Sequence, residues 1–457
     1  MLNLQETAQA LNASLLGNPE AVYARVTTDS RDVRAGDLFV ALKGERFDAH
    51  DFVEQALAQG AIAALVEVAG SGNRIVVPDT LQALGQLAGY WRAKQAGIPL
   101  VAITGSNGKT SVKEMLASIL AAHTGNANQV HATQGNLNNH IGLPLTLLGI
   151  RPEHRFVVAE MGMNHFGEIA YLTKIARPDV ALVNNAGAAH LEALGSVEGV
   201  ARAKGEIFSG LTGDGVAVIN VDDEYAAIWR ELAGEHAVLT FGIADAEISA
   251  SELELDAQGS AFILATPLGS AQIRLAVPGL HNIRNALAAA TAALALSIPL
   301  TDIAAGLCAW SGVKGRLQAK TARNGAQILD DTYNANPDSM RAAIDVLADI
   351  GRAKKTVLVL GDMAEVGSDA SAMHAAIGAY ARKKGIHVLY AVGAEMAHAV
   401  AAFGEQGHHF ADKAALLAEL SAQVSPQTQV LVKGSRSAKM EDVVNGLIDL
   451  KGAQPCC

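Results

Sequence analysis

The chain has 457 residues and a formal net charge of −11, and half of its residues are hydrophobic while only 4% are aromatic. This length predicts about two to four domains, each large enough to bury a core. The acidic balance argues against nonspecific nucleic-acid binding, although local cations can still hold small anions.

No part of the chain resembles a targeting or membrane segment. No apolar run reaches the ~20 residues that cross a bilayer, and the N-terminal stretch lacks the basic start and apolar core of a secretory signal. The three cysteines, Cys308, Cys456 and Cys457, show no zinc or disulfide spacing. We therefore expect a cytoplasmic protein with no transmembrane segment and no nucleic-acid partner.

Residues 1–82 are predicted to form an N-terminal α/β domain. A strand follows the Gly36-Asp37 turn, a helix covers residues 52–63, and strands cover residues 64–68 and 74–77. A longer helical pattern over residues 81–96 leads into the next domain.

A phosphate-binding loop is predicted after residue 99. The apolar residues 100–103 indicate a buried strand, glycines stand at Gly105 and Gly108, and a helical pattern begins at about Lys109. Glycines allow close approach of the backbone to an anion, and the N–H groups of a helix start point at it. The spacing differs from a usual Walker A loop because Ile103 stands where its first glycine is expected, so an ordinary strand–helix turn is the alternative.

Residues 83–312 are predicted to form a central domain around a parallel sheet. Strands over residues 155–160, 179–185 and 216–222 alternate with helical stretches, and residues 236–275 indicate an antiparallel patch. Ligands of such sheets bind beyond the carboxyl ends of the strands. The polar residues at those ends are Thr104, Glu160, Asn184 and Asp222.

Residues 313–457 are predicted to form a third, Rossmann-like domain, again with a parallel α/β sheet. Its predicted strands cover residues 356–361, 387–393 and 429–433. Polar loops over residues 330–339, 361–367 and 433–441 follow apolar runs, and they suit either ligand binding or simple turns.

Several side chains are candidates for the chemistry, each with an alternative. Glu160 and His190 suit a metal site, while His190 could instead cap a helix or lie on the surface. Lys204, taken alone, is better explained as a solvated lysine. Asn282 and Asn285 share a helical face that could contact phosphate or adenine, or cap the helix after Gly279.

Arg316 lies in the Lys-Gly-Arg stretch at the boundary before the third domain. Its planar guanidinium suits a γ-phosphate when domains close, and the alternative is a polar linker.

These pieces, in this order, resemble the Mur ligases of peptidoglycan synthesis over essentially the whole chain. The similarity lies in the phosphate loop from Thr104 to Thr110, in Glu160, His190 and Lys204, in residues 281–285, and in Gly315-Arg316. Residues 28–31 together with 36–39 resemble the members that add either the third residue or the terminal dipeptide. More specific motifs resemble the branch that adds D-Ala-D-Ala to a UDP-linked tripeptide, and they cover residues 136–144, 160–164, 331–337 and 361–365. The Asp-Asn-Pro-Arg signature of the diaminopimelate-adding branch is absent.

The resemblance implies an ATP-dependent amide ligase that performs the last cytoplasmic step of peptidoglycan precursor synthesis. ATP would phosphorylate the carboxylate of UDP-N-acetylmuramoyl-tripeptide, and the amine of D-Ala-D-Ala would attack the acyl phosphate. Lys204 matches the lysine that several members carry as a carbamate, which would make it an anionic ligand.

The resemblance also implies roles for individual residues. The catalytic residues are Lys109, Glu160, His190, Lys204 and Arg316, and Thr110, Glu160, His190 and Lys204 hold Mg²⁺. The ATP-binding residues are Gly105, Ser106, Asn107, Gly108, Lys109, Thr110, Ser111, Asn282, Asn285, Arg316 and Asp331. The substrate-binding residues are Ser30, Arg31, Asn138, Asn139, Asn164, Asn334, Asn336, Ser435 and Arg436.

Three alternatives stay open at this point. The first is a ligase of the same family that adds a single amino acid, diaminopimelate or lysine, to a UDP-linked dipeptide. The second is a folylpolyglutamate synthetase, against which the first 82 residues argue. The third is a nucleotide-binding protein without turnover, against which Lys109, Glu160 and His190 argue. We expect a monomer.

Overall fold

The computed structural model describes residues 1–44, 47–189, 191–256, 259–364 and 367–448. Three α/β units follow one another along the chain, each with its own sheet, so the predicted fold class is confirmed. The predicted domain boundaries, near residues 82 and 312, stay predictions.

The N-terminal unit is a sheet covered by short helices. The strand order is β1-β5-β4-β3-β2, with β1 antiparallel to β5 and the other pairs parallel. Its elements are α1 (Leu4–Ala10), β1 (Ser14–Leu16), β2 (Arg25–Thr27), β3 (Asp37–Val40), α2 (Val53–Ala58), β4 (Ala63–Val66), β5 (Arg74–Val76) and α3 (Thr80–Lys94).

The predicted helix over residues 52–63 is wrong in its second half. Helix α2 ends at Ala58, because Gly60 adopts a φ of +109° that no helix accommodates, and Ala63 already belongs to β4.

The central unit is built around a sheet in which every described pairing is parallel, in the order β11-β10-β9-β6-β8-β7. Its first elements are β6 (Leu100–Thr104), α4 (Lys109–Thr124), β7 (Val130–Ala132), α5 (Gly142–Leu148), β8 (Phe156–Glu160), α6 (Glu168–Ala176) and β9 (Val180–Val183). Next come α7 (Leu191–Leu194), α8 (Val197–Gly205), β10 (Val216–Asn220), α9 (Ala226–Ala233) and β11 (Ala237–Phe241).

An antiparallel sheet and two helices complete this unit. They are β12 (Ser249–Asp256), β13 (Gly259–Thr266), β14 (Gly269–Leu275), α10 (Leu280–Ala295) and α11 (Leu300–Ala309). The predicted antiparallel patch over residues 236–275 is therefore correct for β12–β14 and wrong for β11. That strand pairs parallel with β10 and extends the central sheet.

Both faces of the central sheet are covered, as its continuous apolar strands require. Along β6, Leu100 and Ala102 point into the core shared with the N-terminal unit, while Val101 and Ile103 point into the core beneath α4 and α10. Strand β6 is thereby fixed from both sides, and its carboxyl end presents the following loop.

The third unit has the strand order β15-β16-β20-β17-β18-β19. The three predicted strands pair parallel as expected, and the remaining pairs are parallel except that β15, which was not predicted, runs antiparallel to β16. Its strands are β15 (Gln318–Thr321), β16 (Gln327–Asp331), β17 (Lys355–Gly361), β18 (Val388–Val392), β19 (Gly407–Phe410) and β20 (Thr428–Lys433). Its helices are α12 (Pro337–Ile350), α13 (Ala370–Lys383), α14 (Met396–Phe403), α15 (Lys413–Gln423) and α16 (Glu441–Ile448).

Within the described part of the chain, no helix has the length and apolar character needed to cross a membrane. Cys308 is exposed as a free thiol, and Cys456 and Cys457 lie outside the described residues.

Candidate active site

A cavity of about 560 Å³ lies between the carboxyl end of the central sheet and the third unit. Its floor is the loop that joins β6 to α4, and its roof comes from the segment before β15 and the segment between β16 and α12. The cavity opens where the predicted phosphate loop leaves its strand. The site is therefore shared by two units.

Gly108 shows why the loop needs a glycine at the helix start. It is the N-cap of α4 and has a φ of +82°. A Cβ there would lie 2.3 Å from Asn285 Oδ1 and 2.5 Å from Asn184 Nδ2. The absent side chain leaves room for both amides at the N-terminus of α4, where an anion is stabilised by free N–H groups.

Lys109 folds back over this loop. Its Nζ donates to the carbonyl oxygen of Gly105 at 2.7 Å. The side chain reaches the cavity, but burial lowers the pKa of its ammonium group. The negative charge of Glu160 opposes this shift, and the positive charge of Arg316 adds to it. Glu160 and Arg316 are thus close enough to Lys109 to affect its charge.

Glu160 ends β8 beside the phosphate loop. Its Oε2 accepts from Thr110 Oγ1 at 2.9 Å and its Oε1 accepts from Asn138 Nδ2 at 2.7 Å. Carboxylate, hydroxyl and amide oxygens are the donors that Mg²⁺ prefers, and Mg²⁺ is commonly bound by one or two carboxylates together with phosphates and waters. The predicted pairing of Thr110 with Glu160 suits that ion.

No group of three or more His, Cys, Asp or Glu side chains that could hold a metal occurs among the described residues. His190, the predicted ligand of a second Mg²⁺, lies outside them.

Lys204 is buried in α8, with 2% of its surface exposed, so the alternative of a solvated lysine is wrong. Burial, and next the charge of Lys109, lower the pKa of its amine well below the ordinary range. None of the described residues accepts a hydrogen bond from its Nζ. The neutral amine is the form that reacts with carbon dioxide.

Asparagine side chains tie the phosphate loop to neighbouring elements. Asn184 Nδ2 donates to Asn107 O and to Asn285 Oδ1, both at 2.9 Å. Asn185 Oδ1 accepts from Asn107 N at 2.8 Å. Asn185 is not among the residues predicted from the sequence, although it directly follows Asn184 at the end of a predicted strand.

Asn282 and Asn285 both line the cavity from α10. The N-cap of α10 is Gly279, and no side chain caps it, so the capping alternative is wrong. Asn282 Nδ2 instead donates to Pro278 O at 2.8 Å.

The third unit places a cation on the phosphate loop. Arg316 Nη2 donates to Thr110 Oγ1 at 3.0 Å, and its guanidinium lies 4.4 Å from the ring centroid of Tyr333. The alternative of a polar linker therefore fails for Arg316. Tyr333 was missed as an individual residue, although it lies inside a motif that was singled out.

Asn336 adds a second link between the units. Its Nδ2 donates to Asn107 Oδ1 at 2.9 Å, while its Oδ1 accepts from Ser339 N and thereby caps α12. Asn334 also lines the cavity. Both residues thus lie on the cavity that the predicted phosphate loop lines.

Asp331 lies at the carboxyl end of β16, where Lys433 Nζ pairs with its Oδ2 at 2.7 Å and also donates to Asn334 O at 2.8 Å. Leu317 N donates to the other carboxylate oxygen. His281 faces this pair from α10, and burial lowers the pKa of its imidazole to about 4. His281 and Lys433 line the cavity and were not assigned individual roles from the sequence.

The other predicted substrate contacts lie away from this cavity. Arg31 is exposed and pairs with Asp29 at 2.7 Å, which holds the pKa of that carboxyl at about 2. Asn139 accepts from Gly142 N, and Arg436 pairs with Glu441 at 2.8 Å. The predicted substrate-binding residues that do not line the cavity are Ser30, Arg31, Asn139, Asn164, Ser435 and Arg436, and their roles stay predictions. The predicted ATP-binding residue Gly105 and the predicted metal ligand Lys204 do not line it either.

Comparison with known protein families gives consecutive matches along the chain. Residues 22–99 match the Mur ligase family catalytic domain, residues 103–293 match the Mur ligase middle domain, and residues 315–436 match the Mur ligase glutamate ligase domain.

Individual relatives cover nearly the whole chain. UDP-N-acetylmuramoyl-tripeptide–D-alanyl-D-alanine ligase of Escherichia coli strain K12 is 45% identical over 98% of both chains. The crystal structure of MurF from Acinetobacter baumannii superposes with a TM-score of 0.90 at 40% identity, over 97% of this chain and 98% of that one. MurF ligase from Thermotoga maritima in complex with ADP gives a TM-score of 0.81 at 28% identity, over 93% and 96% of the two chains.

Proposed function

The chain belongs to the Mur ligase family, and from that premise we propose that it joins D-alanyl-D-alanine to UDP-N-acetylmuramoyl-tripeptide with consumption of ATP. The choice of substrates rests on relatives that are UDP-N-acetylmuramoyl-tripeptide–D-alanyl-D-alanine ligases and that match nearly the whole chain. The observation that supports the ATP-dependent step is the contact of Arg316 with Thr110, which brings a cation of the third unit onto the phosphate loop.

The proposed reaction has two steps. A carboxylate oxygen of the tripeptide attacks the γ-phosphorus of ATP, and ADP leaves. The amine of D-Ala-D-Ala then attacks the carbonyl carbon of the acyl phosphate, loses a proton, and phosphate leaves as the amide forms. The first step brings two anions together, so fixed positive charge at Lys109 and Arg316 stabilises its transition state.

Thr110 and Glu160 would hold Mg²⁺, which when bound supplies charge neutralisation for the phosphates. By family resemblance, His190 would hold a second ion. Lys204 would assist as a carbamate, in which its amine nitrogen bonds to carbon dioxide and releases a proton. Its burial beside Lys109, without an acceptor among the described residues, supports this assignment because these surroundings favour the neutral, reactive amine, and the carbamate formed from it is an anion near that cation.

Further roles follow from the same resemblance. Asn282 would contact phosphate, Asn285 adenine and Asp331 ribose, and the position of all three on the cavity supports this. Asn138, Asn139 and Asn164 would contact the muramoyl-peptide. The cytoplasmic location and monomeric state also stay predictions.

The test is ATP-dependent phosphate release with Mg²⁺, a UDP-linked peptide and one amine at a time. We expect release with UDP-N-acetylmuramoyl-tripeptide and D-Ala-D-Ala, and none with free amino acids. Release with a UDP-linked dipeptide and a single amino acid instead would assign the chain to a different branch of the family.

A matched variant separates catalysis from simple nucleotide binding. Lys109→Ala should lose phosphate release while its melting temperature stays near that of the unaltered protein, because Lys109 contacts the loop through one backbone carbonyl. If the unaltered protein released no phosphate with any amine, in buffer that contains bicarbonate, the proposed ligase activity would be contradicted.

A further inference from the structure

Lys113 is a buried cation that the proposed mechanism does not use. It lies one helical turn after Lys109 in α4, and 2% of its side chain is exposed. Its Nζ donates to Thr133 O at 2.6 Å and pairs with Glu114, whose side chain is 42% exposed, at 2.8 Å. Burying an ammonium group is unfavourable unless it is well compensated. The buried partner is the carbonyl of Thr133.

Thr133 is itself buried and uses each of its polar groups. Its N donates to Val158 O at 3.0 Å, its Oγ1 accepts from Glu160 N at 3.0 Å, and its carbonyl accepts from Lys113. It follows β7, which spans only Val130–Ala132 at the edge of the central sheet. Lys113 therefore secures the end of a short edge strand from the helix above it.

The segment that Lys113 holds is in direct contact with Glu160. Thr133 holds the backbone N–H of Glu160, and the loop that starts at Thr133 continues to Asn138, which donates to Glu160 Oε1 at 2.7 Å. The second carboxylate oxygen accepts from Thr110. Among the described residues, the hydrogen bonds that Glu160 makes toward the edge of the sheet thus come from the segment that begins at Thr133, which Lys113 holds.

We propose that Lys113 and Thr133 are positioning residues that fix the orientation of Glu160 and Asn138 for Mg²⁺·nucleotide binding. This inference rests on the proposed function, because it assigns Glu160 to the metal. Supporting hydrogen bonds of this kind orient a ligand, and their loss commonly weakens metal affinity by about 10- to 100-fold.

The experiment compares Thr133→Val, Thr133→Ser and Lys113→Met, with Glu114→Gln as the control that leaves the carbonyl contact in place. Calorimetric binding of ADP across a Mg²⁺ series gives the affinity without turnover, and phosphate release gives the apparent KM values. We expect Thr133→Val and Lys113→Met to raise the Mg²⁺ requirement by about tenfold. Thr133→Ser should restore it, because the hydroxyl acceptor returns, and the KM for D-Ala-D-Ala should not change.

The inference is overturned if Thr133→Val and Lys113→Met keep the Mg²⁺ requirement of the unaltered protein. It is equally overturned if they raise the KM of all three substrates together while the melting temperature falls, since that pattern describes general destabilisation. Failure of the unaltered protein to release phosphate would instead count against the proposed function, while the ADP titrations would still report on Lys113 and Thr133.

Discussion

At the scale of single residues, Lys204 is a buried amine close to another cation. Its amine is buried in α8, and the charge of Lys109 adds to the cost of protonating it. Burying a lysine at such a position lowers the stability of the fold, so its presence there suggests that the chemistry needs an amine. The same burial that would destabilise an ammonium group favours the neutral nucleophile, and this links the stability of the fold to pH.

The Lys204→Met variant is expected to separate these effects. In the folded protein the pKa of Lys204 is lowered, so between that value and the ordinary 10.5 the unfolded chain binds a proton that the folded chain does not. The free energy of unfolding of the unaltered protein therefore rises with pH across this window. Because methionine has no proton to bind, the stability advantage of Lys204→Met should shrink as the pH rises.

Urea titrations at several pH values, in buffer depleted of carbon dioxide, measure this difference. Lys174→Met is the control, because Lys174 is an exposed residue of α6 and the difference from the unaltered protein should stay flat. A pH-independent gap between the unaltered protein and Lys204→Met would contradict the assignment of Lys204 as a buried, easily deprotonated amine.

At the scale of elements, helix α4 begins and ends with a left-handed glycine, and the two positions differ in what surrounds them. Gly108 has a φ of +82° and Gly125 a φ of +68°. A Cβ on Gly108 would collide with Asn285 and Asn184, whereas a Cβ on Gly125 would meet nothing within 4 Å. The pair therefore distinguishes backbone strain from crowding of the nucleotide loop.

Alanine at either glycine should lower the free energy of unfolding by about 1–2 kcal/mol, the cost of the left-handed conformation. We expect Gly108→Ala also to weaken ADP binding, measured by calorimetry, by at least about tenfold, because the loop must move away from Asn184 and Asn285. Gly125→Ala should bind ADP as the unaltered protein does. Equal ADP affinities for the two variants would show that the amide contacts at Gly108 do not shape the loop.

Elements with strong local signals could be predicted from the sequence. The strand–turn–helix of the phosphate loop lies within a residue of its prediction, because apolar β-branched residues, glycines and a helical pattern follow without interruption. The end of α2 could not be predicted, since periodicity does not reveal that Gly60 turns left-handed. Nor does a short apolar run such as β11 disclose whether its partner is parallel.

The same limit applies to the site. Residues inside contiguous motifs could be chosen because loop chemistry is local, as with Thr110 and Glu160. The burial of Lys204 depends on which face of α8 is covered, and the bond from Asn336 to Asn107 spans 229 positions of sequence. Such contacts follow from tertiary packing, which a single sequence does not display.

At the scale of the whole molecule, hydrogen bonds join the third unit to the phosphate loop and to the segment that follows β9. Arg316 donates to Thr110, Asn336 donates to Asn107, and Asp338 Oδ2 accepts from Ala188 N at 2.9 Å. The cations and amides of the cleft therefore come together only when the units are in contact. Closure of this kind completes a catalytic site and excludes water from it.

Asn336 allows the closing contact to be tested apart from folding. Asn336→Asp keeps the oxygen that caps α12 but loses the amide donor to Asn107, and a net hydrogen bond of ~1 kcal/mol corresponds to about a fivefold change in population. We expect a several-fold fall in kcat, an unchanged free energy of unfolding, and a larger radius of gyration by small-angle scattering with ATP present.

Ser339→Ala is the control variant, because it removes the reciprocal half of the capping box while leaving the Asn107 contact in place. It should lower stability by ~1 kcal/mol and leave kcat intact. If Asn336→Asp instead raised the KM for D-Ala-D-Ala with kcat and radius unchanged, Asn336 would be a substrate contact, as the sequence predicted, and the closing role would be wrong.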